Sequence, residues 1–180
     1  MPEADLWLWR HPRPVGGAGR CYGRTDLPVD RRRAKRLAHR IRRVARRHAL
    51  PRVVWTSPLA RCRDVGRWLR RWGWQHHVDA ALSELDFGTW EGRWWRELPR
   101  EEIDAWVRAF AEHAPGGGEA LPAFAARVQG FMRSHAGATT LAVAHGGWMV
   151  MARWLAERPG RAFTAADWSA APPCGSHWRL

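Results

Sequence analysis

Asp5-Leu6-Trp7-Leu8-Trp9-Arg10-His11-Pro12-Arg13-Pro14 decides how the rest of the chain is read. Leu6 to Trp9 is a short apolar run of strand length, and the two prolines stop it because they cannot continue a ladder. An arginine and a histidine therefore stand at the carboxyl end of a strand.

Working outward, a Gly-rich loop covers residues 16–23. Asp30 is placed to cap a helix running to about Ala49, with Leu37, Ile41 and Val44 on its apolar face. Arg52 to Ser57 reads as a second strand. Pro58 is expected to open a helix to about Trp72, whose inner face is Leu59, Cys62, Val65 and Leu69. A short strand is expected near His76 to Ala80, an ordered loop from Leu82 to Gly92, and a helix from Arg100 to His113. After Pro115 and three glycines, Leu121, Phe124, Val128 and Phe131 mark another amphipathic helix. Thr140 to Ala144 is a buried strand, ended by His145-Gly146-Gly147 and followed by a helix from about Trp148 to Glu157; Cys174 to Leu180 adds an edge strand. Strands alternating with helices at this spacing imply an α/β fold: a three-layer α/β/α sandwich with a mostly parallel sheet, in one domain over residues 1–180.

Composition narrows the class. Hydrophobic residues make up 46% and charged residues 26%, near the globular average. Fourteen tryptophans and a formal net charge of +13 stand out; the charge is almost all arginine, Lys35 being the only lysine, which resembles the drift of a GC-rich genome. A positive field still concentrates anionic substrates. Three widely spaced cysteines, Cys21, Cys62 and Cys174, suit neither a disulfide framework nor a zinc site and fit a reducing cytosol. No signal peptide and no apolar run of about 20 residues is visible, so a soluble cytoplasmic protein without membrane contact is expected.

In an open α/β sheet, ligands bind beyond the carboxyl ends of the strands. Here those ends carry Arg10-His11, then Thr56-Ser57 with Arg61 one turn on, then His145-Gly146-Gly147 beside a helix N-terminus. Guanidinium forks and helix-terminal N–H groups are what a phosphoryl group requires. There is no Walker-type loop and no run of carboxylates for magnesium.

In this order Arg10-His11, Ser57-Pro58-Leu59-Ala60-Arg61, Glu84-Leu85-Asp86-Phe87-Gly88-Thr89-Trp90-Glu91-Gly92, Gly117-Gly118-Glu119 and His145-Gly146-Gly147 resemble the histidine phosphatase superfamily, the phosphoglycerate-mutase-like group. The resemblance covers roughly residues 5–157. It implies that His11 is the nucleophile, that Arg10, Arg61 and His145, with Gly146 beside them, hold the phosphoryl group, and that Glu84 is the proton donor, with no metal or organic cofactor. One departure stands out: the family's usual Arg-His-Gly-Glu-Thr is Arg10-His11-Pro12-Arg13-Pro14 here, and Arg13 is the residue available to supply the missing contacts. The run Cys21-Tyr22-Gly23-Arg24-Thr25-Asp26 is similar to the α-ribazole phosphatase branch, which removes the 5′-phosphate of α-ribazole phosphate in cobalamin assembly. The expected partner is a small phosphorylated metabolite.

Competing readings stay open. Glu91 rivals Glu84 as the proton donor. Cys21 lines the pocket with Tyr22 and Gly23 or is an ordinary loop residue. Glu119 caps its helix. Trp94-Trp95 are the tryptophans placed to border a site for an aromatic base. A broad-specificity phosphatase, a phosphoglycerate mutase and a protein phosphohistidine phosphatase share the same residues. The basic helix of residues 30–49 is read as a solvated face, and nucleic acid is not expected; a polyanion-binding module is the alternative of another class. Nothing in the sequence specifies an oligomeric state.

Overall fold

The structure, a computed structural model, describes residues 5–161 and 163–180. Among these residues five strands form one sheet. They are β1 (Leu6–Arg10), β2 (Val53–Thr56), β3 (Gln75–Val78), β4 (Thr140–Ala144) and β5 (His177–Arg179). The sheet order is β3-β2-β4-β1-β5, and every pairing is parallel except that of β5 on β1. The sheet is thus mostly parallel, and the tail forms the edge strand its sequence implied, antiparallel to β1.

The helices are α1 (Arg31–Arg47), α2 (Ala60–Arg71), α3 (Arg100–Arg108), α4 (Leu121–Ser134) and α5 (Gly146–Glu157). Alternation along the strands divides the core into two layers. Trp7 and Trp9 of β1 and Leu141 and Val143 of β4 pack with Leu37 and Ile41 of α1 and Val65 and Leu69 of α2. Leu8, Ala142 and Ala144 point the other way, into a cluster with Phe124, Val128 and Phe131 of α4 and Trp148 and Met151 of α5. Burying side chains of this size contributes about 1.5–3 kcal/mol each, which fits the central strand β4, buried at every position and apolar from Leu141 to Ala144.

Several boundaries depart from the sequence reading by a few residues. Pro58 lies outside α2, whose N-cap is Leu59; the first free amide, that of Ala60, donates instead to Asp26 Oδ1 at 2.6 Å. α3 ends at Arg108, short of His113. α5 begins at Gly146, so its amino terminus lies against the end of β4 and its first amides are available to the pocket. Asp30 does cap α1, accepting from the Arg33 amide at 2.9 Å. The arginines of α1 face outward, and some of its cations lie across tryptophan rings: Arg31 and Lys35 over Trp68, each at 5.2 Å, and Arg42 over Trp72 at 4.6 Å. No helix among the described residues is long and apolar enough to cross a membrane.

Candidate active site

Register brings the site together. Arg10 pairs with Ala144 across β1 and β4, so the residues that follow, His11 and His145, leave the sheet side by side. Their ring centroids are 5.1 Å apart. The His11 amide donates to the Ala144 carbonyl at 3.0 Å, and the Ser57 amide, just past β2, donates to Val143 at 3.2 Å. These strand ends open into a pocket of about 250 Å³ lined by Arg10, His11, Arg61, Glu84 and His145, together with Arg20, Tyr22, Phe87 and Trp95.

His11 is buried, with Nδ1 2.8 Å from the carbonyl oxygen of Pro12. A carbonyl only accepts, so Nδ1 carries the proton and Nε2 keeps its lone pair. Burial, then the Arg61 guanidinium, with Arg10 beyond it, hold the His11 pKa down to about 3 against the opposing pull of the Pro12 carbonyl. The ring is therefore neutral at ordinary pH.

Arg61 is fully buried. Its Nη1 donates to the Thr25 carbonyl at 2.7 Å, Nη2 to Gly23 at 2.6 Å and Nε to His145 Nδ1 at 3.2 Å. Because Nε can only donate, His145 Nδ1 accepts, and Nε2–H is directed to Ser57 Oγ at 2.9 Å. Both nitrogens of His145 are thus engaged within the protein, and the ring fixes the direction of Arg61. Burial, and after it Arg61, hold its pKa well below the usual imidazole value. Arg10 donates through Nη1 to the Pro172 carbonyl at 2.6 Å, while its Nε is buried with no hydrogen-bond partner. Gly146 makes room for it: a Cβ there would stand 3.1 Å from Arg10 Cζ and 2.7 Å from Ala171 Cβ.

The two glutamates separate cleanly. Glu84 lines the pocket, and its carboxyl accepts from the first amides of α5, Gly147 at 2.8 Å and Trp148 at 3.0 Å. A carboxylate suits a helix N-terminus, yet burial outweighs those bonds and the nearby arginines and raises the Glu84 pKa. Glu91 instead gathers the 23–25 loop, accepting from the amides of Gly23, Arg24 and Thr25 and from the Thr25 hydroxyl. Burial opposes its ionisation, but those bonds win and its pKa is lowered. Glu91 is a strut, and Glu84 is the carboxyl at the pocket.

The substrate-side expectations divide. Tyr22 lines the pocket, with Arg61 Cζ 5.2 Å from its ring centroid. Cys21 does not: it is fully buried in the core layer beneath. Residues 20–22 run extended against 92–94, so successive side chains alternate in direction and Arg20 and Tyr22 share the pocket side. Gly23 supports the site through its backbone, and a side chain there would overlap the carbonyl oxygen of Leu85. Arg13 is exposed and outside the pocket; Pro12 and Pro14 are buried and leave Arg13 directed to solvent. The residue that brings further charge is Arg20, tied to the Gly92 carbonyl at 2.8 Å and lying 4.4 Å over the Trp94 ring. Trp95 lines the mouth, edge-on to Phe87 at 5.6 Å. Arg20 and Phe87 were not foreseen as pocket residues; the period-two alternation with Tyr22 was the signal for the first. Glu119 does not cap α4, whose N-cap is Ala120; it pairs with Arg127 at 2.7 Å. Among the described residues no three His, Cys, Asp or Glu side chains gather as a metal site.

Residues 6–171 match the model of the histidine phosphatase superfamily, branch 1. A curated adenosylcobalamin/alpha-ribazole phosphatase of Salmonella typhimurium is 31% identical over 135 residues, which is 71% of this chain; the chain spans 64% of that protein's length. Among solved structures, TTHB049 from Thermus thermophilus superposes with a TM-score of 0.71 at 30% identity, covering 98% of this chain and 92% of that one. A phosphoglycerate mutase from the same organism does so with the same TM-score and coverage at 28% identity. The match runs from the strand that delivers His11 to the segment that packs on Gly146, and on that basis the chain belongs to the histidine phosphatase superfamily.

Proposed function

We propose that the protein hydrolyses a phosphomonoester through a phosphohistidine formed on His11, without a metal ion, and that its substrate is α-ribazole 5′-phosphate. The observation that carries the reaction is the bare Nε2 of a neutral His11 in a pocket walled by Arg10, Arg20 and Arg61. Three guanidinium groups match a phosphoryl dianion and the charge that shifts in its transfer, and the unpartnered Nε of Arg10 is a donor ready for one of its oxygens.

The Nε2 lone pair forms a bond to phosphorus as the ester P–O bond breaks. Glu84, whose burial favours the protonated form, gives its proton to the departing oxygen. The resulting carboxylate then takes a proton from water as that oxygen attacks phosphorus. The P–N bond breaks, inorganic phosphate leaves, and His11 and Glu84 return to their starting states. His145 keeps Arg61 aimed throughout.

The substrate assignment rests on three supports: the Cys21-to-Asp26 run, the name of the Salmonella relative, and the two aromatic rings of Phe87 and Trp95 in the pocket lining, which suit a planar base. The test is phosphate release in EDTA from α-ribazole 5′-phosphate, 3-phosphoglycerate and p-nitrophenyl phosphate. The expected result is highest kcat/KM on α-ribazole 5′-phosphate, with turnover falling at least about a thousandfold in His11→Ala. Undiminished turnover in His11→Ala overturns the mechanism; preference for 3-phosphoglycerate overturns the substrate alone.

A further inference from the structure

We infer that Arg127 is a positioning residue that aims Glu84 at the leaving group, an inference resting on the proton-donor reading above. Arg127 stands on α4 and is not part of the pocket wall. Its guanidinium nevertheless holds the backbone that carries Glu84. Nη1 donates to the carbonyls of Ala81 at 2.8 Å and Ser83 at 2.7 Å, and Nη2 reaches the Glu84 carbonyl at 3.3 Å. From the other side, the Trp148 indole also donates to Ala81, at 2.8 Å. Residues 81–84 are therefore strung between α4 and α5, and the Glu84 carboxyl is fixed at both ends: by Arg127 at its root, and by the α5 amides at its tip.

Arg127 does this by geometry and not by charge. Glu119 meets its cation with two hydrogen bonds, Nε to Oε1 at 3.0 Å and Nη2 to Oε2 at 2.7 Å. That pair in turn orients the fork toward the carbonyls. One planar group with donors on both edges is needed to span three carbonyls and a carboxylate, and an ammonium lacks that shape. A proton donor displaced by about 1 Å loses on the order of a hundredfold in rate.

The inference separates two kinds of substrate. An alkyl phosphate needs a proton on its departing oxygen, whereas p-nitrophenolate departs unaided, and kcat/KM reports the steps through that departure. The experiment measures kcat/KM for the best alkyl ester and for p-nitrophenyl phosphate in wild type, Glu84→Gln, Arg127→Met, Arg127→Lys and the Glu84→Gln/Arg127→Met double variant. Arg127→Met is expected to lose roughly 10- to 100-fold on the alkyl ester and less than about threefold on the aryl ester, which also certifies folding. In the Glu84→Gln background the same change should cost the alkyl ester almost nothing further. Arg127→Lys should repeat the split, and it serves if the methionine variant does not accumulate. Equal losses on both esters, or losses that simply add to those of Glu84→Gln, overturn the role of Arg127. A Glu84→Gln variant whose alkyl-to-aryl ratio matches wild type overturns the proton-donor reading itself, and the role of Arg127 with it.

Discussion

At the residue scale, Arg20 makes up for what the loop after His11 lacks. Pro12 offers no amide, and Arg13 points to solvent, so the added cation comes from seven residues further on, stacked on Trp94 and tied to Gly92. A side chain held before substrate arrives loses little entropy on binding. A contact made equally to substrate and transition state acts on KM. Arg20→Met is expected to raise KM roughly 10-fold while kcat changes less than about threefold, and to weaken inhibition by inorganic phosphate in parallel. A collapse of kcat at constant KM would instead place Arg20 on the transferring group. That His11, Arg10, Arg61 and Glu84 would meet in one pocket was legible because each sits near a strand end or in a motif of distinctive spacing. Arg20 was hidden because its place depends on residues 20–22 pairing with 92–94, a contact between segments some seventy positions apart that no local pattern records.

Among the elements, the 23–26 loop is the joint between the two halves of the pocket. Its carbonyls at Gly23 and Thr25 hold Arg61, its Asp26 carboxylate receives the first amide of α2, and its own amides converge on Glu91. Glu91→Ala leaves those amides without their acceptor and lets Arg61 loosen. The expected result is a loss of about 2–4 kcal/mol in denaturant unfolding, together with a raised KM. Full stability with abolished turnover would make Glu91 a participant in the chemistry and not a strut. Periodicity located the regular elements within a few residues, since α1, α4 and β4 each show one unambiguous apolar repeat. It misplaced the start of α2, where Pro58 satisfies the rule for a first turn but an extended Leu59 precedes the helix. It also started α5 late, because glycines carry no hydrophobic signal even where close approach of Arg10 makes one necessary.

The whole molecule couples its buried and half-buried imidazoles to acid. His11, His145 and His76 are all held below the ordinary histidine value, each first by burial and then by neighbouring arginines; His11 is held to about 3 and His76 to about 4. In the unfolded chain each accepts a proton near pH 6.5, while the fold keeps it neutral. Their contribution to stability is therefore complete above pH 6.5 and is lost as pH falls from there toward the folded values. For His11, held to about 3, the loss at pH 5 is about 2 kcal/mol, and His145 adds to it in the same direction. Glu91, lowered, adds a loss below about pH 4.5. Glu84 works the other way, since its raised pKa lets the fold take up a proton before the unfolded chain does, but one carboxyl does not offset three imidazoles. With a net charge of +13 before any of its nine histidines is protonated, acid also increases self-repulsion. The melting temperature should therefore drop by roughly 10 °C between pH 7.5 and pH 5, and His76→Gln should reduce that drop. A flat melting temperature across this range would mean that the imidazoles titrate freely in the folded state. The same linkage should shape activity: because His11 is held to about 3, the acid limb of the rate profile is expected to coincide with unfolding and not with protonation of the proposed nucleophile, which circular dichroism and turnover measured on the same samples will distinguish.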